Sequence, residues 1–458
     1  MTESINTAGQ QIRNHGWRTT FAGMGINLAL GVLYSWSIIS SAIDKAGWGW
    51  TAAERSLPYS VACLVFCLMM VPAGRMQDKL SPRLTASIGG LLVGLGMILT
   101  SFNTSVMSYV IGFGVLAGSG IGFGYASATP PAVKWFPAAK TGLITGLVVS
   151  GFGLASVYIA PLGNWLINSF GISTMICVFG IGFLIIVVAL AQILIPPPKG
   201  YVVPVKVDAG KPAVSTVVNK NEYSSMEMLK TWQFYLLWFM YACGAGAGLM
   251  VISVAKGIAG KGAIGVYAVM ALAIGNGAGR IIAGILSDKL GRKQTLFLFF
   301  LLQAIAVFLL SVASTQTIAL AKSNVLSASS STVASTAVSK SAVAPVASSS
   351  TVASTSTGVM SAGILMILLA AFVGANYGSN LALFPSITKD FYGLKNFGMN
   401  YGFVFTAWGV GGFLLSLLAG MVYDQTKNFT FAFYCSIVLL IIAGTMVFLV
   451  KPPKDKTV

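Results

Sequence analysis

The sequence predicts an all-α integral membrane protein of twelve transmembrane helices, arranged as two pseudo-symmetric six-helix bundles. Three observations carry this. Apolar runs recur at roughly 18–42, 56–76, 84–103, 107–130, 141–163, 172–195, 231–255, 262–287, 294–314, 359–384, 399–423 and 429–450. Runs of about twenty apolar residues match a ~30 Å hydrocarbon core. With the N-terminus inside, 20 of the 28 Lys and Arg residues fall in inner segments and 7 in outer ones. That bias puts both termini in the cytoplasm, and the chain is read as a multi-pass protein of the cell's inner (plasma) membrane. Finally, motifs of the first six spans return in the last six.

Taken in order, residues 1–195 hold the first bundle, and no cleavable signal peptide precedes it. The first seventeen residues are polar and the first apolar run is long enough to span. Residues 196–230 open with Pro196, Pro197 and Pro198 and carry five lysines, as a cytoplasmic linker does. Residues 231–458 hold the second bundle. Gly74, Asp78, Lys79 and Arg83 after span 2 return as Gly284, Asp288, Lys289 and Arg292 after span 8, at an offset of 210 for the first three. Pro130, Lys134 and Phe136 return as Pro385, Lys389 and Phe391 at an offset of 255. Gly142 and Gly146 return as Gly398 and Gly402 at an offset of 256. The jump in offset locates an insertion in the outer loop at about 315–358, where 322–358 is nearly all Ser, Thr, Ala and Val. That stretch lacks the large apolar residues of a core, so the reading is a disordered loop. The acid and arginine after spans 2 and 8 stand at helix ends where they can clamp neighbouring helices, which makes Asp78, Arg83, Asp288 and Arg292 candidates for gating.

Composition narrows the function. The chain is 56 % hydrophobic and 9 % charged, which is not a soluble composition. Its net charge of +17 sits in loops and at membrane edges, so nucleic acid is not the implied partner. The five cysteines lie in apolar spans, and the single histidine, His15, shares no ligand spacing with them. No metal, cofactor or catalytic constellation is evident, and the reading is not an enzyme.

Arg280 stands apart. It lies inside an apolar, glycine-rich span, eight residues before the chain exits at Asp288. At ~1.5 Å per residue its backbone is ~12 Å from that exit, near the midplane. A guanidinium there costs at least ~2.5 kcal/mol, and the depth opposes snorkelling. No Asp or Glu occurs inside any apolar span, so the natural counter-ion is a bound anion.

With these residues in view, the chain resembles the major facilitator superfamily, and within it the oxalate/formate antiporter and monocarboxylate transporter group. The resemblance rests on Gly31, Tyr34, Trp36 and Ser37 in span 1, and on Lys134, Trp135, Phe136 and Pro137 with Gly142 and Gly146 leading into span 5. Asn276 and Arg280 in span 8 carry it further, with Asn400, Tyr401, Gly402, Thr406, Ala407, Trp408 and Gly409 in span 11. The chain is particularly similar to bacterial homologues of the lactate and pyruvate carriers. Two departures matter. The oxalate-carrying branch keeps a lysine in span 11 where this chain has Trp408. The animal carriers have an aspartate where this chain has Asn276, and a span 1 lysine absent here.

The resemblance implies a central cavity between the bundles, reached alternately from the two sides. Arg280 would fork the substrate carboxylate, and Asn276, one turn earlier, would orient it or bond a substrate oxygen. Tyr34, Tyr125, Asn376, Tyr377, Phe405 and Trp408 would line the cavity. The implied partners are a small monocarboxylate anion such as lactate or pyruvate, a proton and the lipid bilayer, with the chain acting as a monomer. Proton-coupled symport is the first reading, carboxylate exchange the alternative, and a membrane anion sensor a distant third.

Overall fold

The computed structural model describes residues 4–5, 11–12, 14–198, 201, 222–258, 263–313, 349–426 and 429–453. Among these, twelve long helices run in sequence: α1 Gly16–Ala46, α2 Ala52–Lys79, α3 Pro82–Ser101, α4 Val106–Val133, α5 Thr141–Phe170, α6 Ile172–Ala191, α7 Trp232–Ile258, α8 Ala263–Leu290, α9 Arg292–Ala313, α10 Ser349–Tyr392, α11 Phe397–Thr426 and α12 Thr430–Met446. All except the 30-residue α11 register as long and apolar enough, by length and composition alone, to cross a membrane. A two-residue antiparallel ladder also pairs Ser4–Ile5 with Gln11–Ile12.

Local chemistry sets the helix limits. Thr51 and Glu54 close a capping box on α2, and the Thr51 N–H and hydroxyl hold the Glu54 carboxyl below its usual range. The Ser81 hydroxyl accepts the Arg83 N–H ahead of α3, with Pro82 in the first turn. Gly291 and Gly393, at φ +94° and +83°, end α8 and α10 in the left-handed region that favours glycine. Within α1, residues Gly31–Ser35 tighten into a 3₁₀ turn. Gly31 sits there against Ala155 and the Phe152 carbonyl of α5, with no room for a Cβ. This close approach fixes the position of Tyr34.

The two halves, α1–α6 and α7–α12, meet along two main seams, α2 with α11 and α5 with α8. Both seams are backbone against backbone. A Cβ at Gly74 would collide with the Gly398 carbonyl, and one at Gly284 with that of Gly142. Farther along, Gly402 meets the Met70 carbonyl and Gly146 that of Arg280. These are the motif glycines of the sequence repeat, used as pairs.

Most of the Ser/Thr/Ala-rich insertion, at 314–348, and most of the linker, at 199–200 and 202–221, lie outside the described residues. Residues 349–358 are the first turns of α10 rather than loop. The stretch from Ser349 to Thr357 holds no Gly or Pro, so a helix nucleated in the span propagates back through it.

Candidate functional site

Arg280 is fully buried, at 0 % exposure, and its donors are split among unlike partners. Nε donates to Asn276 Oδ1 at 3.0 Å, one turn back on α8. Nη1 donates to the Val149 carbonyl of α5, in the opposite half, at 2.5 Å. Nη2 is buried with no partner. Among the described residues no carboxylate pairs with it. Glycine makes this geometry possible: an added Cβ at Gly153 would lie 3.2 Å from Nε and 3.0 Å from the Gly277 nitrogen. On its other side α8 is held by Gly275 and Gly279 against α10, and by Gly374 and Gly378 of α10 against the backbone of Leu272 and Asn276.

Aromatic side chains from both halves close around the guanidinium. The Tyr34 hydroxyl lies beside Arg280 and 2.7 Å from the Tyr377 hydroxyl across the interface. Trp408 Nε1 donates to Tyr377 Oη at 2.8 Å. Phe405 stacks on Trp408 with centroids 5.2 Å apart and meets Phe66 at 5.1 Å and Tyr125 at 5.4 Å. Tyr125 Oη is buried without a hydrogen-bond partner, beside Tyr401. The site therefore gathers two buried donors, Arg280 Nη2 and the Tyr125 hydroxyl, that make no hydrogen bond of good geometry, with the Tyr34 and Tyr401 hydroxyls beside them. Donors without acceptors in a water-poor interior are what an anion satisfies.

Sequence reasoning missed Phe66, Phe152, Tyr241 and Tyr401, which complete the aromatic shell. An aromatic in an apolar span carries no mark that separates cavity wall from core. It also missed the Val149 carbonyl, which no side-chain pattern can show.

Asn376 makes no hydrogen bond to the Arg280 group among the described residues, and its Oδ1 is buried without a partner. Its amide donates to the Phe372 carbonyl at 2.7 Å. Asn380, one turn on, donates to the Asn376 carbonyl and to Gln303 of α9, and Gln303 in turn donates to the Gly244 carbonyl of α7. These amides join three helices inside the C-terminal half. The spacing explains it: Gly374 and Gly378 take the α8-facing side of α10, which leaves position 376 turned from Arg280.

The two acid–arginine motifs diverge as well. Asp288 accepts the Gly142 and Leu143 N–H groups at 2.9 and 2.8 Å, capping α5 of the other half. Arg292 holds it there at 2.7 Å and reaches Asp390 at 2.8 Å. Asp78 likewise accepts the Gly398 and Met399 N–H groups at 3.1 and 2.9 Å, capping α11. Arg83 stays exposed, however, and takes no part in this clasp. The reason lies in the repeat: at the 255-residue offset Asp390 corresponds to Trp135. Trp135 spends its N–H on the Ile195 carbonyl at 2.6 Å, so the N-terminal motif lacks the second acid that draws its arginine in. Both clasps lie on the face that the charge bias assigns to the cytoplasm, called the basic face below.

The Asn276 contact makes a test of coupling. Asn276→Asp places a carboxylate at the Nε of Arg280. Below its pKa that group is protonated and competes weakly; above it, the ionised form pairs with Arg280 and excludes substrate. If the site takes the monocarboxylate that the resemblance implies, its apparent affinity for lactate is expected to fall as pH rises, more steeply than in the parent. An intact carrier with the parent's pH profile would remove position 276 from the site.

Comparison with known proteins agrees with the architecture. The crystal structure of the transporter FucP in the outward conformation aligns at a TM-score of 0.62 and 14 % identity, over 95 % of this chain and 99 % of that one. An uncharacterized MFS-type transporter of Escherichia coli (strain K12), YhjX, is 25 % identical over 400 residues, 86 % of this chain and 85 % of its own. The oxalate:formate antiporter of Oxalobacter formigenes is 27 % identical over 386 residues, 82 % and 77 % of the two chains. Monocarboxylate transporter 13 of Rattus norvegicus matches over a shorter stretch, 35 % identical across 95 residues, 21 % of this chain and 22 % of its own. The family model described as Major Facilitator Superfamily matches residues 19–364, and with twelve helices in two clasped halves the chain belongs to that superfamily of transporters.

Proposed function

We propose that this protein is a secondary carrier of short monocarboxylates of the lactate and pyruvate type, working by alternating access between its two halves. The observation that carries the reading is Arg280, a fully buried cation with an unpartnered Nη2 and no carboxylate partner among the described residues. A single carboxylate neutralises it, and the Asn276 oxygen holds the guanidinium plane for that contact. The carrier sits in the inner membrane with both termini cytoplasmic and acts as a monomer. Coupling is to the proton gradient, with the proton carried on the substrate. Reconstituted uptake of labelled lactate, with and without a pH step, tests it; uptake indifferent to the pH step overturns proton coupling.

Exchange of one carboxylate for another is the second reading. It is favoured by the absence of any Asp or Glu from the apolar spans, and by the likeness to the oxalate:formate antiporter. Uptake that requires an internal anion, whatever the pH step, would select it.

Charge also sets selectivity. One buried cation leaves the second charge of a dicarboxylate unpaired, at a cost of several kcal/mol. Trp408 is bonded to Tyr377, and Lys389 is engaged at the basic face with Thr141 at 2.8 Å and Asp390 at 3.3 Å. Unlabelled pyruvate is expected to compete with lactate uptake far better than oxalate or malonate at a pH where all are ionised. Equal competition by oxalate would end the monocarboxylate assignment.

A further inference from the structure

We propose that Trp408, Tyr377 and Tyr34 form a one-way hydrogen-bond chain that aims the Tyr34 hydroxyl proton at the anion held by Arg280, making Trp408 a positioning residue two links from the substrate. The inference rests on the carboxylate reading of the Arg280 site and deepens it.

The direction follows from what each group can do. The indole N–H of Trp408 only donates, so Tyr377 Oη accepts from it at 2.8 Å. The contact between Tyr377 and Tyr34, at 2.7 Å, has either hydroxyl as donor. If Tyr34 donates, Tyr377 accepts two bonds and its own proton has no acceptor, although its side chain is fully buried. If Tyr377 donates to Tyr34, every polar atom of Tyr377 is used, and the one proton left over belongs to Tyr34. Tyr34 is only partly buried, and besides Tyr377 its hydroxyl has Arg280 and the weakly accepting Cys63 thiol as neighbours. A guanidinium accepts nothing, so the Tyr34 proton waits for an acceptor bound beside Arg280. The second arrangement satisfies the buried hydroxyl and is favoured by the rule that buried donors are paired. Each bond in such a chain polarises the next, so the Trp408 N–H strengthens the donor at the far end.

The chain also crosses the interface. Tyr34 sits on the 3₁₀ turn of α1, while Tyr377 and Trp408 belong to α10 and α11. The aimed donor exists only when the halves close at this level, which ties tight anion binding to closure.

A double-mutant cycle tests this. Affinity for L-lactate is measured on purified protein and KM on reconstituted protein for the parent, Trp408→Phe, Tyr34→Phe and the double variant. Each single change is expected to weaken binding about fivefold, the worth of one hydrogen bond, acting on KM more than on the maximal rate. The double variant is expected to bind no more weakly than Tyr34→Phe alone, because removing the last link makes the first irrelevant. Effects that multiply would show that Trp408 acts by packing against Phe66 and Phe405, and would overturn the chain while leaving the carboxylate site intact. A parent that neither binds nor moves any short monocarboxylate overturns the site and the chain together. If Trp408→Phe folds poorly, Tyr377→Phe breaks the middle link, and the same cycle against Tyr34→Phe decides the matter.

Discussion

Arg280→Ala is expected to lower lactate uptake by more than about a hundredfold while leaving the protein folded. On the proposed reading the loss follows from removing the buried partner for the substrate's charge, a contact worth ~2–5 kcal/mol when desolvated. Folding survives because alanine leaves behind only neutral groups, the Asn276 oxygen and the Val149 carbonyl, and takes away the buried Nη2 that has no partner. Arg280→Lys is expected to fail nearly as badly. A lysine carries its three donors on one nitrogen and cannot hold Asn276 on one side of a plane while presenting a fork on the other. Proteoliposome uptake, read beside a melting curve for each variant, measures both claims. A folded Arg280→Ala that transports at near the parent rate would remove the central assignment.

The second large effect is a contrast between two arginines that the sequence presents as equivalents. Arg292→Ala should destabilise the carrier by on the order of 3 kcal/mol, because it leaves Asp288 and Asp390 buried together with only Lys389 to offset them. It should also loosen the cap on α5, since Arg292 is what holds Asp288 beneath the Gly142 and Leu143 amides. Arg83→Ala should change stability by less than about 0.5 kcal/mol, as exposed substitutions do. Thermal unfolding in detergent compares them directly. Equal losses would mean that Arg83 reaches an acid after all and that the two clasps are alike.

What could be read from the sequence was governed by how far the signal had to travel along the chain. The spans, the halves and the paired motifs follow from local apolarity and from internal repetition, and the twelve helices stand where the runs predicted them. The contact of Arg280 with Asn276 was legible because four residues make one turn of α8, and a charge in an apolar span draws the eye to its neighbours. Asn376 was expected to line the cavity, but its amide is spent on the Phe372 carbonyl of its own helix, a use that an amide in an apolar span signals no differently. The glycines two residues to either side, Gly374 and Gly378, held the answer, since they mark the side of α10 that touches α8. The Arg83 expectation failed for a subtler reason. The motif repeats, but the residue that completes it, Asp390, is replaced in the first half by Trp135, far away in the sequence. Contacts between the halves, such as Arg280 with Val149 or Tyr34 with Tyr377, join residues more than a hundred positions apart and have no local signature.

The glycine pairs at the seams bear on permeation. Where Gly74 meets Gly398 and Gly142 meets Gly284, main chain touches main chain so closely that not even a methyl group fits between them. A water molecule is larger than the gap, and an unbroken file of water is what lets protons and small ions run down their gradients. A seam packed through side chains would breathe as rotamers exchanged; a contact between two backbones has no rotamers to exchange. Along these seams the basic face is therefore a gasket as well as a latch. On the proposed reading, it would let a carrier with an arginine at its centre hold an anion without becoming an anion leak.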